Sequence, residues 1–341
     1  MIPEEDIKLI KSYLEKAENP VFLYDDDNDG LCSYLLFKQF CGKGKGIIVK
    51  ARPHVDKFFV DRINEYNPDI VFILDKPIVL DEFVENVHVP IIWIDHHPVQ
   101  KVAGVKYFNP LSYNKDGHGM STTYWCHKIV GGSLWVAAVG TLSDWVVPEW
   151  INEFKKKYPD LINDEKTPED ILFKSKIGEL CQIFSFFTKG KISDVKKNIS
   201  LIEKIKEPYE ILNGTSETGK KLLKNIEKIR KEFNTLLKKA STKVTKDNLL
   251  VFTYDNKKYS FTSDLSNYLV YKYPNKFIIV ARERGGEMKM SLRSGKYKVR
   301  DILEKVLKEV KGYGGGHEMA CGSNVPVDEF GKFVDLIKKS I

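Results

Sequence analysis

Cysteine is scarce in this chain. There are five in 341 residues, at positions 32, 41, 126, 181 and 321, and no two form a C-x-x-C pair. An odd and scattered set excludes a disulfide framework and a thiolate zinc site. Long apolar runs are also missing: none approaches the roughly 18 residues that a membrane-spanning helix needs. The opening residues, Met1-Ile2-Pro3-Glu4-Glu5-Asp6, have neither a basic start nor an apolar core, so a secretory leader is not expected. Internal repeats and low-complexity stretches are absent. These absences point to a cytoplasmic protein of a reducing compartment with no membrane association.

What is present is enough for real cores. Apolar residues make up 42% and charged residues 30%, which argues against intrinsic disorder. The length is about twice that of a usual domain, so at least two are expected. The net charge of +7 is unevenly spread. Residues 1–150 carry 15 Lys and Arg against 21 Asp and Glu, a net of −6; residues 151–240 stand at +6 and residues 241–341 at +7. An acidic front and a basic rear suit a polyanion partner, although Lys-rich solvated helices give the same arithmetic.

Short apolar runs at 21–24, 46–50, 70–74 and 90–94 have strand length and β-branched or aromatic character. The segments 31–40 and 56–66 between them read as helices. Nearly all-apolar strands alternating with helices predict an α/β fold: an N-terminal parallel sheet covered on both faces, over residues 1–150. Residues 151–245 read as a helical connector. Within it, apolar residues fall at Leu222, Ile226, Ile229, Phe233, Leu236 and Ala240, a helical stripe that suits packing on its own domain better than a coiled coil. Strand-like runs at 248–253, 276–281 and 287–293 and helix-like runs at 264–273, 299–310 and 327–340 predict a smaller C-terminal α/β domain over 246–341.

In parallel sheets the ligand site lies beyond the carboxyl ends of the strands. Here Asp25 follows the first run, Asp75 the third and Asp95-His96-His97 the fourth, while Asp144 closes the run 137–143. The segment Asp25-Asp26-Asp27-Asn28-Asp29-Gly30 crowds carboxylates that cannot all stay ionised without a cation nearby. It is not an EF-hand, because position twelve of such a loop would be Leu36 and the segment follows a strand. A plain acidic turn is the blander reading. Carboxylates with imidazole and no thiolate favour Mn²⁺, with Mg²⁺ as a substitute. The set is large enough for two metals sharing a carboxylate, the arrangement that activates water and grips a phosphodiester. The rear domain adds Gly312-Tyr313-Gly314-Gly315-Gly316-His317, which lacks the Gly-Lys-Ser/Thr of a P-loop. His118, between Gly117 and Gly119 after Asn109-Pro110, is the remaining histidine that draws attention.

Taken in order, Asp25-x-Asp27-x-Asp29-Gly30-x-x-Ser33, Asp75, Asp95-His96-His97 and Asp144 resemble the motifs of the DHH phosphoesterase superfamily. Ser291-Leu292-Arg293-Ser294 with Gly314-Gly315-Gly316-His317 resembles its DHH-associated domain. Asp25 at the head of the first motif and Asn109-Pro110 after the fourth strand look RecJ-like, and length and first motif favour the archaeal RecJ-like branch. The resemblance implies that Asp25 and Asp27 bind one Mn²⁺, that Asp29, His96 and Asp144 bind a second, and that Asp75 bridges them. It implies that Asp95 orients an imidazole and that His97 faces the scissile phosphate. Gly314, Gly315, Gly316, His317 and Arg293 would contact substrate. Lys76 departs from the pattern, since relatives often have a small residue after the bridging Asp; it would either neutralise charge or reshape the pocket.

The function so implied is a Mn²⁺-dependent exonuclease on single-stranded DNA or RNA, of the kind used in DNA repair, releasing mononucleotides. Tyr254, Tyr259 or Phe261 would stack bases or pack in the core. Two alternatives stand beside it. One is a phosphodiesterase for short oligonucleotides or cyclic dinucleotides; the other is a replication scaffold that joins GINS-type proteins.

Overall fold

The computed structural model describes residues 1–114, 120–255 and 258–341, so His118 lies outside the described residues. The chain forms two compact units, Met1–Lys224 and Asn225–Ile341. No helix among the described residues is long and apolar enough to cross a membrane.

The first unit opens with helix α1 (Glu4–Lys16) and a parallel sheet of β1 (Pro20–Asp25), β2 (Lys45–Val49), β3 (Ile70–Leu74), β4 (Ile91–Ile94) and β5 (Lys106–Phe108). The strand order is β2-β1-β3-β4-β5, parallel throughout. Helix α2 (Asn28–Cys41) follows β1. Alternate residues of a strand point to opposite faces. Val21, Leu23, Val71, Ile73 and Trp93 therefore share one apolar cluster. On the other face Phe22 stacks on Phe72 at 5.4 Å, and Phe37 of α2 meets Phe72 at 5.9 Å. Both faces being covered explains why the strands read as unbroken apolar runs. The three-residue β5 was too short to read from sequence.

Register sets the site. Tyr24 pairs with Leu74, Leu74 with Ile94, and Ile94 with Phe108. Asp25, Asp75, Asp95 and Asn109 are the next residues in each strand direction, so they stand in one row at the carboxyl edge. Helices α3 (Thr122–Val130) and α4 (Leu134–Ser143) pack on α2 and complete that edge. The later helices add to the same unit: Phe184 packs edge-on against Trp135 of α4, and Asn28 Nδ2 donates to the Cys181 carbonyl at 2.8 Å.

The unit boundary falls within the 25-residue helix α5 (Glu217–Ser241). All six residues of its apolar stripe are buried. The second unit contains β6 (Leu249–Thr253), α6 (Thr262–Lys272), β7 (Phe277–Arg284), β8 (Glu287–Ser294), α7 (Val299–Val306), β9 (Tyr313–His317), β10 (Ala320–Pro326) and α8 (Phe330–Lys339). Its mixed sheet runs β9-β10-β8-β7-β6, with β6 and β7 parallel and the other pairs antiparallel. Gly285 and Gly286, at φ +66° and +78°, make the two-residue turn of the β7–β8 hairpin. The glycine run is itself a strand, β9, at the exposed edge of this sheet.

Candidate functional site

Asp25, Asp27 and Asp29 are drawn together by the junction of β1 and α2. Asp27 caps α2, its Oδ1 accepting from Gly30 N at 3.0 Å. The helix start then lies so close to the strand that a Cβ on Gly30 would sit 2.6 Å from Asp25 N. Only glycine permits this approach. Asp29 turns inward, and both of its oxygens accept from the N-terminus of α3: Thr122 N to Oδ2 at 2.7 Å and Thr123 N to Oδ1 at 2.6 Å. A helix N-terminus favours an anion there.

Asp75 ends β3 with a backbone φ of +58°, a conformation uncommon outside glycine and tolerated by Asp and Asn. Its N–H donates to Ile94 O at 3.0 Å, and its Oδ1 accepts from Thr122 Oγ1 at 3.2 Å. His96 Nε2 lies 3.2 Å from Asp144 Oδ2, 3.4 Å from Asp75 Oδ1 and 3.8 Å from Asp29 Oδ2. Asp144 caps the C-terminus of α4. Asp95 is fully buried and organises His97. Its Oδ1 pairs with His97 Nδ1 at 2.8 Å, and its Oδ2 accepts from His97 N, Tyr107 Oη and Asn109 Nδ2 at 3.1, 3.2 and 3.4 Å.

The potential ligand atoms fall into overlapping groups: Asp25, Asp27 and Asp75; Asp29, His96 and Asp144; and Asp75, His96 and His97. Among protein cations, Lys76 Nζ reaches Asp25 Oδ1 at 2.9 Å. The carboxylates outnumber their positive partners, and burial and mutual repulsion shift their pKa values. Burial, outweighing Lys76, pushes Asp25 up to about 7. Asp29 and Asp144 are raised by burial and by neighbouring carboxylates. Asp27 is raised as well; its surroundings desolvate it, but its side chain keeps an exposed face, so repulsion from Asp75 and Asp25 is the better account. Asp75 runs the other way: burial would raise it, yet His96 and His97 hold it below the usual range. Burial opposes the charged form of His96, but Asp144 and Asp75 raise it well above an ordinary histidine. A crowded oxygen and imidazole set that holds protons for want of charge is one that a divalent cation fits.

A pH dependence follows. Groups raised in the folded state hold protons that the unfolded chain has released, so the metal-free protein loses stability as pH rises from the ordinary carboxylate range through about 7. A cation must displace those protons. A divalent cation bound there would therefore raise the unfolding temperature more at about pH 8 than at about pH 6. Calorimetric melts with Mn²⁺ and with EDTA at both pH values check this; an equal shift would contradict it.

In the second unit Arg293 is held from four sides. Its Nε donates to Asn267 Oδ1, its Nη1 to the Leu292 and Cys321 carbonyls, and its Nη2 to Ser263 Oγ. Four of its five N–H groups are thus used within the unit, and burial lowers its pKa to about 10. Gly314, Gly315, Gly316 and His317 lie exposed along β9. Gly316 sits at φ +145°, and a Cβ there would meet Ala320 O at 2.5 Å; one on Gly315 would meet nothing within 4 Å. Tyr254, Tyr259 and Phe261 are buried, which favours the core role over stacking on bases.

Sequence reading missed Thr122, Thr123 and Tyr107, which fix Asp29, Asp75 and Asp95. Ser121-Thr122-Thr123 before an apolar run is a helix-start signal, but nothing in it names an aspartate more than 90 residues away as the capping anion.

Residues 246–341 match the DHHA1 domain family. No curated protein matches the sequence. Among solved structures, RecJ from Thermus thermophilus in complex with Mn²⁺ superposes with a TM-score of 0.70 at 14% identity, over 99% of this chain and 55% of its own. A manganese-bound exonuclease RecJ gives 0.62 at 13% identity, over 99% of this chain and 95% of its own. The DHH domain of a member of a ribosomal-protein family gives 0.70 at 13%, over 98% and 89%. The chain spans about half the length of the Thermus protein, and at these identities the likeness is one of fold. The chain thus shares its fold with RecJ and with a DHH domain, and its match to the DHHA1 domain family is confined to residues 246–341.

Proposed function

We propose that this protein is a divalent-cation-dependent phosphodiesterase that removes mononucleotides from the end of single-stranded DNA or RNA. The observation that supports this reading is the placement of Asp75, whose carboxylate groups with Asp25 and Asp27 and lies 3.4 Å from His96, a member of the second group. Asp25 and Asp27 would hold one cation and Asp29, His96 and Asp144 a second, with Asp75 between them. The donor set, oxygen and imidazole without thiolate, favours Mn²⁺ over zinc, with Mg²⁺ as a substitute. Bound there, the ions supply an activated water and charge neutralisation at phosphorus.

The remaining work belongs to the chain's own side chains. Asp95 Oδ1 accepts a hydrogen bond from His97 Nδ1, which fixes the imidazole that would address a phosphate oxygen. Burial disfavours the charged imidazole, but Asp95 and Asp75 raise its pKa, so His97 is disposed to donate a proton. β9 is an edge strand that pairs with β10 alone among the described residues, so its glycine backbone can meet a phosphate without an intervening side chain.

Strands labelled at either end, incubated with Mn²⁺ or with EDTA, test the proposal. Mononucleotides should appear with Mn²⁺ alone. A steep preference for dimers or a cyclic dinucleotide would move the substrate to short oligonucleotides, and no hydrolysis of any of these would end the proposal. The role of β9 has its own test. Gly315→Ala is expected to leave the unfolding temperature within about 1 °C, because the site is open, and to raise KM several-fold. Gly316→Ala should instead cost several degrees, because its backbone and its neighbour both resist a Cβ. An unchanged KM in Gly315→Ala would remove β9 from the substrate path.

A further inference from the structure

Lys76 is one of the largest fully buried side chains in the protein, at 1% exposure, and it lies beside the carboxylate row. Its ammonium donates to Asp25 Oδ1 at 2.9 Å and to the Arg52 carbonyl at 2.7 Å. Its carbonyl is fixed in turn by Trp93 Nε1 at 2.9 Å. The Arg52 segment is anchored too: Ala51 N donates to Asp26 Oδ2, and Arg52 pairs with Asp56 and lies over the Phe58 ring at 4.6 Å. A lysine held at both ends in this way does not swing out to solvent. Asp25 Oδ1 accepts from Asp26 N as well, at 2.8 Å, so that oxygen is taken.

We propose that Lys76 is a built-in cation that makes the two metal positions unequal. This rests on the metal reading given above. The group Asp25, Asp27 and Asp75 already contains one fixed positive charge and has lost one oxygen of Asp25 to it. The group Asp29, His96 and Asp144 has no lysine or arginine within salt-bridge distance among the described residues. A divalent ion entering the first group meets an ammonium held in place a few ångströms away, whereas the second group offers an imidazole that can itself serve as a ligand. The second group therefore fills first and holds its ion. The first group takes an exchangeable ion, whose binding is helped when a phosphodiester brings negative charge to offset Lys76. A small residue at position 76 would leave both positions open to resident ions, so Lys76 sets the metal stoichiometry of the resting protein.

Mn²⁺ binding to the full chain, by equilibrium dialysis with elemental analysis, is the test, with Lys76→Met as the neutral variant of similar length. Wild type should bind one ion tightly and a second at least about tenfold more weakly. Lys76→Met should tighten the second until the two differ by less than about threefold, with the first unchanged. Because the variant leaves Asp25 without its buried partner, its fold is checked by a thermal melt, and Lys76→Gln serves in its place if it fails. Two ions of equal affinity in wild type, or the same gap in wild type and a folded variant, would overturn the role of Lys76 while leaving the metal centre standing. No Mn²⁺ bound by wild type would instead overturn the metal centre and this inference with it.

Discussion

Asp75→Asn is expected to lower phosphodiester hydrolysis by about a thousandfold with the fold intact. Asparagine is the informative replacement because residue 75 has a backbone φ of +58°, which Asn tolerates and Ala does not. The hydrogen bond from Thr122 Oγ1 at 3.2 Å can also be kept by the amide oxygen. What disappears is a negative charge at a carboxylate that faces His96, His97 and the Asp25–Asp27 pair together. The stabilisation of the protein by Mn²⁺ should fall in parallel, since the variant no longer ties the two ligand groups. Activity within tenfold of wild type, at matched unfolding temperature, would show that Asp75 is not the shared ligand.

Asp95→Asn is expected to cost about 10- to 100-fold in kcat while Mn²⁺ binding is retained. Asp95 is buried and accepts from His97, Tyr107 and Asn109, so an amide would face donors with a donor of its own. The cost in stability should be about 1–3 kcal/mol, that of an ill-matched buried polar group. The sharper reading is the pH profile. Asp95 helps raise the His97 pKa against the opposing effect of burial. Without its charge the His97 pKa falls, the protonated fraction at neutral pH shrinks, and the basic limb of the activity profile moves to lower pH. An unmoved basic limb, together with a lower kcat, would reduce Asp95 to a packing role.

Much of the first unit was legible in the sequence for a physical reason. Strands buried on both faces cannot alternate, so they announce themselves as apolar runs, and the residue that ends each run lies at the edge where parallel sheets bind ligands. The pattern alone therefore places Asp25, Asp75 and Asp95 in a row. The glycine run was harder. Glycine weakens strands, so β9 reads as a turn, and only its ladder with β10 shows otherwise. Arg293 illustrates a different limit: its type suits a phosphate, but sequence cannot show that Asn267, Ser263 and two carbonyls engage it. Lys76 was visible as a departure from the resemblance, with its two readings open. The direction of its ammonium, which decides between them, depends on β3 lying beside β1 and on the Arg52 carbonyl, neither of which is local in sequence.

The carboxyl edge of the first sheet is expected to hold divalent cations. Crystals equilibrated with Mn²⁺ and measured at the manganese absorption edge test it most directly. The predicted result is an anomalous peak bounded by Asp29, Asp75, His96 and Asp144, and a second, filled only at higher Mn²⁺, bounded by Asp25, Asp27 and Asp75. Saturating Mn²⁺ with no anomalous density in contact with any of these side chains would contradict the account.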